Sequence, residues 1–492
     1  MSFKTKLFHI FILIPIIISS SNNFLLPINI EKDKLFYYYV TLYFGEEKVP
    51  QTFTLDTTSS LISSPCNLCK SCGFHANEYY NITNQENQVL SCNDLNCGKL
   101  SGNCEEEKCS YQYNYHEDAY IKGVFVNNEI RFKNDSSESY KMTIGCTLNE
   151  TNYIIAQESD GIMGLNNDDN SFINRLYKNK IISNNLFSLC LTHENTGYFS
   201  LGEIYDKYHL SSKIYYIPFT IDREEKYYKI GIKSFEIGEK NFDFNGEAII
   251  DSTATLTSFP KNLYESIVNE IINKCTDSLC GKLVKYKNFG LCAVYKNETL
   301  MINSVKNWFD IKINFKKLKF IWKAENYWVD ISTESNYRAC FDFESTDEDI
   351  ITLGTTFFHG IDVIFDRDNN KIGFVESDCK ADFNFSNPRR IFKATNKALN
   401  ILQSSKEDIE ITDKNSDYNN NTRNYVEYRG YKPRYFLYFL LFGLIFIVSI
   451  ALVLFILYKF GKKRNKYIKR LRKTIKMKSI FKDREESISL NK

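Results

Sequence analysis

Histidine is scarce in this chain, with six among 492 residues, and the six are scattered. A protein-built metal centre wants convergent His, Asp or Cys ligands, so no metal is expected, and no other cofactor is implied. Three fingerprints are missing as well: the P-loop, the Gly-rich dinucleotide turn and the Gly-x-Ser-x-Gly elbow. Their absence sets aside the nucleotide-dependent and serine-hydrolase chemistries that rely on them. An excess of one charge is lacking too. Lys and Arg number 62 against 60 Asp and Glu, for a net charge of +2, and the chain before its basic C-terminal tail is acidic to neutral. With no basic face carrying interleaved aromatics, nucleic acid is not an expected partner.

What the chain does have is two short, similar stretches, Leu55-Asp56-Thr57-Thr58-Ser59-Ser60 and Ile250-Asp251-Ser252-Thr253-Ala254-Thr255. Asp-Thr and Asp-Ser are ordinary turn dipeptides when they occur singly. Here each Asp follows a Tyr-rich strand-like run, a Gly and a second strand: Phe36 to Gly45 leads to Asp56, and Tyr227 to Gly238 leads to Asp251. This is a weak internal duplication at a spacing of 195 positions, about one domain length. Two loops that each contribute one carboxylate suit a dyad sharing a proton. Like charges held close cannot both ionise, so one Asp keeps a proton as an acid while the other stays charged and activates a water. Glycosidases also pair carboxylates, but Tyr-rich strands and apolar-Gly surroundings do not suggest one.

On these residues the chain resembles the pepsin-like aspartic proteases. Further motifs follow in the family's order. Asp160-Gly161-Ile162-Met163-Gly164-Leu165 resembles the segment supporting the first aspartate, and Phe187 to Leu191 with Gly197 to Gly202 resembles the strand pair late in the first lobe. Ile351 to Phe358, Val363 to Asp366 and Lys371 to Val375 resemble the end of the second lobe. The Cys66-x2-Cys69-x2-Cys72 cluster after the first Asp is most like that of membrane-anchored members of the family. The resemblance runs from about Phe36 to Cys379 and implies a mainly β, bilobal fold, with an N-terminal lobe over 36–212 and a C-terminal lobe over 213–379. It implies that Asp56 and Asp251 are catalytic and that Tyr115 is the flap tyrosine over bound substrate. It further implies that Thr57 and Ser252 tie the two loops together, and that Ser59 supplies a supporting hydroxyl.

The departures from the family pattern are specific. Thr58 and Thr253 stand where glycine is expected, and Ala254 replaces a hydroxyl residue that bonds the second aspartate. If those threonines had to take φ > 0, each would cost on the order of 1–3 kcal/mol. The flap segment Tyr115-His116-Glu117-Asp118-Ala119 has no glycine at its tip, and Ser63 holds the place of a tryptophan found in many relatives.

The ends and the cysteines speak to location. Lys4 and Lys6 ahead of an apolar run predict a signal peptide over 1–21, hence an oxidising compartment. The 14 Cys are then expected as disulfides. Eight of them, Cys66 to Cys109 plus Cys146, suffice for four bridges in the first lobe; Cys292–Cys340, Cys275–Cys280 and a lobe-tying Cys190–Cys379 are expected in the rest. Sequons at Asn81, Asn134, Asn149, Asn297, Asn384 and Asn420 are compatible with glycosylation. Residues 380–434 are polar and Asn-rich, as in a stalk. Tyr435 to Tyr458 is 24 residues without a charge, about 36 Å as a helix and long enough to span a bilayer. Nine Lys and Arg between Lys459 and Lys473 open a basic tail, 459–492, on the cytoplasmic side.

The expectation is therefore a monomeric, single-pass type I membrane protein with a C-terminal transmembrane helix. Its lumenal or extracellular part is an aspartic endopeptidase acting on extended polypeptides, at the endoplasmic reticulum, another endomembrane or the cell surface. The alternative is a catalytically weak or inactive relative that binds peptides or proteins.

Overall fold

A computed structural model of the chain describes residues 22–30, 38–83, 85–115, 119–192, 196–221, 226–286, 290–332, 336–381 and 409–410. The signal peptide, nearly all of the stalk, the membrane span and the basic tail expected above lie outside the described residues. Among the described residues no helix is long and apolar enough to cross a membrane. All of them fall within one compact unit, 1–414.

The tyrosine-rich run forms the strand Tyr38–Phe44, in which Tyr38, Val40, Leu42 and Phe44 are buried and the residues between them are not. Strict alternation of this kind is what a half-buried antiparallel strand requires. The chain turns at Gly45, where φ is +68°, and returns as Val49–Asp56, paired from Tyr39↔Thr54 to Phe44↔Val49. The second lobe repeats the device: Tyr228–Ile237 turns at Gly238, where φ is +61°, into Lys240–Ile250. Both hairpins deliver an aspartate at the end of the returning strand.

Each returning strand also has a parallel neighbour. Gly161–Gly164 runs beside the first, with Asp56 opposite Gly164, and Ile351–Leu353 runs beside the second, with Ile250 opposite Leu353. The neighbours end in glycine for a steric reason. A Cβ on Gly164 would sit 2.4 Å from the Ser60 carbonyl carbon, and one on Gly354 would sit 2.2 Å from the Leu256 oxygen. Backbone cannot yield at those distances, so any larger residue pushes the Asp loop away.

The lobes share a sheet. Its strands run in the order Phe24–Ile30, Gly197–Leu201, Leu186–Leu191, Ile361–Asp366, Lys371–Glu376, Tyr215–Ile221, all antiparallel. The halves join where Leu186 to Leu189 pairs with Asp366 to Val363, under a stacked Phe187–Phe365 pair with ring centroids 4.4 Å apart. Phe24–Ile30 thus belongs to the shared sheet although it precedes residue 36.

Every described cysteine is bridged. Cys66–Cys146, Cys69–Cys72, Cys92–Cys104 and Cys97–Cys109 hold the first lobe. Cys275–Cys280, Cys292–Cys340 and Cys190–Cys379 follow the pairings expected from the sequence. Cys292 and Cys340 face each other across adjacent strands of a smaller sheet in the second lobe.

Candidate active site

The two Asp loops meet, and the residues after each aspartate make the junction. Ser252 Oγ donates to the Leu55 carbonyl at 2.7 Å and accepts from the Thr57 N–H at 3.0 Å. Reciprocally, Thr57 Oγ1 donates to the Ile250 carbonyl at 2.9 Å and accepts from the Ser252 N–H at 3.0 Å. Both side chains are buried. Four reciprocal hydrogen bonds therefore fix one aspartate loop relative to the other. The loops are also held from behind, by Leu165 N–H to the Asp56 carbonyl at 2.7 Å and Thr355 N–H to the Ala254 carbonyl at 2.7 Å.

Each carboxylate is gripped on one oxygen. Asp56 Oδ1 accepts from Thr58 N–H at 2.8 Å, Thr58 Oγ1 at 2.6 Å and Ser59 N–H at 3.2 Å. Asp251 Oδ1 accepts from Thr253 N–H at 2.8 Å, Thr253 Oγ1 at 2.7 Å and Ala254 N–H at 3.3 Å. Neither Thr58 nor Thr253 has φ in the left-handed region, so the strain considered from the sequence does not arise. Their hydroxyls instead bond the very aspartates they follow. Ser59 supports Asp56 through its N–H, while its buried hydroxyl has no partner among the described residues.

Burial, together with the negative charge of Asp56, raises the Asp251 carboxyl above the usual range, against the pull of the Thr253 and Ala254 donors.

Tyr115 lies where the hairpin of Lys108–Asn114 and Tyr120–Arg131 turns, and its N–H bonds the Ala119 carbonyl at 2.7 Å. Its ring packs on Tyr113, centroids 5.1 Å apart, and on the apolar cluster beneath the hairpin. The tip residues 116–118 lie outside the described residues.

One group behind the site was not expected. Asp342 is fully enclosed in the second lobe; its Oδ2 accepts from Thr356 Oγ1 at 2.6 Å, two residues beyond Gly354. Burial pushes its carboxyl up to about 7, and the Thr356 hydroxyl only partly offsets this. In the first lobe the buried Asp160, just before the supporting strand, has more donors: Thr52 N–H and Oγ1, and Asn77 N–H and Nδ2. A folded value above the unfolded one means that the folded state binds the proton more tightly. Stability from Asp342 is therefore full below about pH 4 and is lost as pH rises through about 7, by up to roughly 4 kcal/mol. In denaturant unfolding from pH 4 to 8, Asp342→Asn is expected to flatten most of that decline; a decline unchanged in the variant would assign it elsewhere.

Two lobes joined at twin aspartate loops, each aspartate backed by a glycine-ended strand, define the aspartic-protease class of fold and site. Comparison with known proteins agrees. The family model for the xylanase inhibitor N-terminal domain matches residues 38–203, and that for the xylanase inhibitor C-terminal domain matches residues 227–376. Plasmepsin V of Plasmodium falciparum is 25% identical over 441 residues, covering 73% of this chain and 74% of that protein. Aspartic proteinase-like protein 1 of Arabidopsis thaliana is 26% identical over 377 residues, covering 70% and 68%. Among solved structures, the basic 7S globulin of soybean superposes with a TM-score of 0.60 at 15% identity, covering 74% of this chain and all of that one. The chain belongs to the pepsin-like aspartic protease family.

Proposed function

We propose that this protein is an aspartic endopeptidase of the secretory or endomembrane system, anchored by the segment 435–458 with its two lobes outside the cytosol. The observation that carries the proposal is the survival of both carboxylates at the loop junction, with the Asp251 carboxyl raised by burial and by Asp56. A water between the two Oδ2 atoms gives its proton to the Asp56 carboxylate as its oxygen attacks the scissile carbonyl. Asp251 donates its proton to the developing oxyanion. As the tetrahedral intermediate collapses, the proton on Asp56 passes to the leaving amine, the C–N bond breaks, and a hydroxyl proton returns to Asp251. Substrate lies extended, adding a strand beside the flap hairpin. Names borne by the relatives, plasmepsin V and aspartic proteinase-like protein 1, support the class of reaction. The oxidised cysteines and the exposed sequons at Asn81, Asn134 and Asn297 support the compartment.

Thr58, Thr253 and Ala254 favour a second reading, a catalytically weak or inactive relative that binds peptides; the solved structure of this fold cited above is a basic 7S globulin. The full-length, oxidised chain incubated with a diverse peptide pool from pH 3 to 7, with products read by mass spectrometry, separates the two. Cleavage at a consistent set of bonds is the expected result. Folded protein that cuts nothing at any pH would overturn the endopeptidase and leave peptide binding as the property to measure.

A further inference from the structure

Thr58 and Thr253 stand at the positions where the resemblance leads one to expect glycine. Each brings a hydroxyl to its loop, and each reaches the aspartate two positions before it at 2.6 and 2.7 Å. The geometry is the same in both lobes. Each threonine closes a small ring onto its own aspartate, donating Oγ–H and N–H to one carboxylate oxygen, and the next N–H completes the set. All three donors in each loop fall on Oδ1. Among the described residues, no hydrogen bond reaches Oδ2 of either aspartate.

At the next position the loops differ. Ser59 keeps a hydroxyl, buried and without a partner among the described residues, whereas Ala254 has none. The loops thus differ in the side chain at this position, while each aspartate accepts the same three kinds of donor.

We propose that Thr58 and Thr253 are positioning residues whose hydroxyls lock Oδ1 of Asp56 and Asp251, leaving the two Oδ2 atoms as the reacting pair. It rests on the endopeptidase function proposed above. The chemistry is coherent. A carboxylate that accepts three donors on one oxygen has its rotamer fixed, and its charge is stabilised before substrate arrives. The free oxygen then presents a single lone-pair set to water. A hydroxyl donor favours the charged form, so removing it raises the carboxyl's affinity for protons. The threonines thus do by side chain what Ala254 no longer does, and they do it at both carboxylates.

The test uses the full-length chain with Thr58→Val and Thr253→Val, which keep the branched shape and lose the hydroxyl, beside Thr58→Ser and Thr253→Ser, which keep it. Thr58→Val is expected to move the acid limb of kcat/KM upward by about half to one pH unit and Thr253→Val to move the alkaline limb upward by a similar amount, each lowering kcat about tenfold with KM little changed. The serine variants are expected to restore both. Ser59→Ala, which keeps the backbone N–H on Asp56 and removes a hydroxyl that bonds neither aspartate, is expected to leave both limbs in place. A second readout needs no turnover. Because each donor lowers a folded-state pKa, the gap in melting temperature between wild type and a valine variant is expected to be wider at pH 6 than at pH 3. Valine variants with an unshifted pH profile, or with a melting gap constant across pH, would overturn the assignment. Wild type that cuts no peptide but keeps a pH-dependent gap would refute the endopeptidase and the catalytic role, while the hydrogen-bonding assignment would stand.

Discussion

Asp251→Asn is expected to lower kcat/KM by about 10^3 to 10^4 while leaving the fold intact. The substitution is nearly isosteric, and the amide oxygen still accepts from Thr253 and Ala254, so the loop keeps its shape. What disappears is the proton that Asp251 gives to the developing oxyanion. Stability is expected to move the other way. Burial and the Asp56 charge raise the folded-state Asp251 carboxyl, so in wild type that group's stabilising contribution is lost as pH rises. The variant has no such loss, and its advantage in melting temperature should widen from pH 4 to pH 7. Activity and stability changing in opposite directions is the mark of a carboxyl held at a functional cost. A variant with undiminished turnover would remove Asp251 from the reaction.

The second large effect concerns the loop junction. Thr57→Ala or Ser252→Ala each deletes a buried hydroxyl that serves one carbonyl and one N–H of the opposite loop. Each leaves two buried backbone groups without those partners, at about 1–3 kcal/mol apiece. Either variant is expected to lose roughly 2–5 kcal/mol in denaturant unfolding, with kcat falling on the order of 100-fold as the carboxylates separate. The double variant should lose less than the sum, because one broken half already lets the loops part. Strict additivity would mean that the halves act independently and that the junction does not set the spacing of the dyad.

Much of this molecule is legible from its residues. The strand–Gly–strand runs before Asp56 and Asp251 are hairpins whose turns are glycines with positive φ, and Thr57 and Ser252 form the junction that the resemblance implied. Cys292–Cys340 and Cys190–Cys379 pair as expected, since few partners remained once the first lobe had taken eight cysteines. The pairing within those eight was open from sequence, because several cysteines lie within reach of one another. The role of Thr58 and Thr253 was hidden for a different reason. Spacing shows that a side chain replaces a hydrogen, but only the backbone course shows that its hydroxyl turns inward onto the aspartate. Long-range burial was also invisible: Asp342 gives no local signal, and Thr356, its partner, is fourteen residues away. The scarce histidines are structural where described. His75 pairs with Glu150 and His209 with Asp362, both at the ends of contacts no motif announces, and His359 meets Tyr38.

The Cys190–Cys379 bridge has a mechanical consequence. It closes a covalent ring with a sequence separation of 189, and the whole second lobe, Asp251 included, lies inside that ring. A pull between the chain's two ends enters at Cys379 and crosses directly to Cys190, so the tension bypasses everything between them. Roughly 600 Å of contour length stays hidden from the load. Traction on the C-terminal end is borne along the backbone that precedes Cys190, and the second lobe carries no tension along its backbone while the bridge is intact.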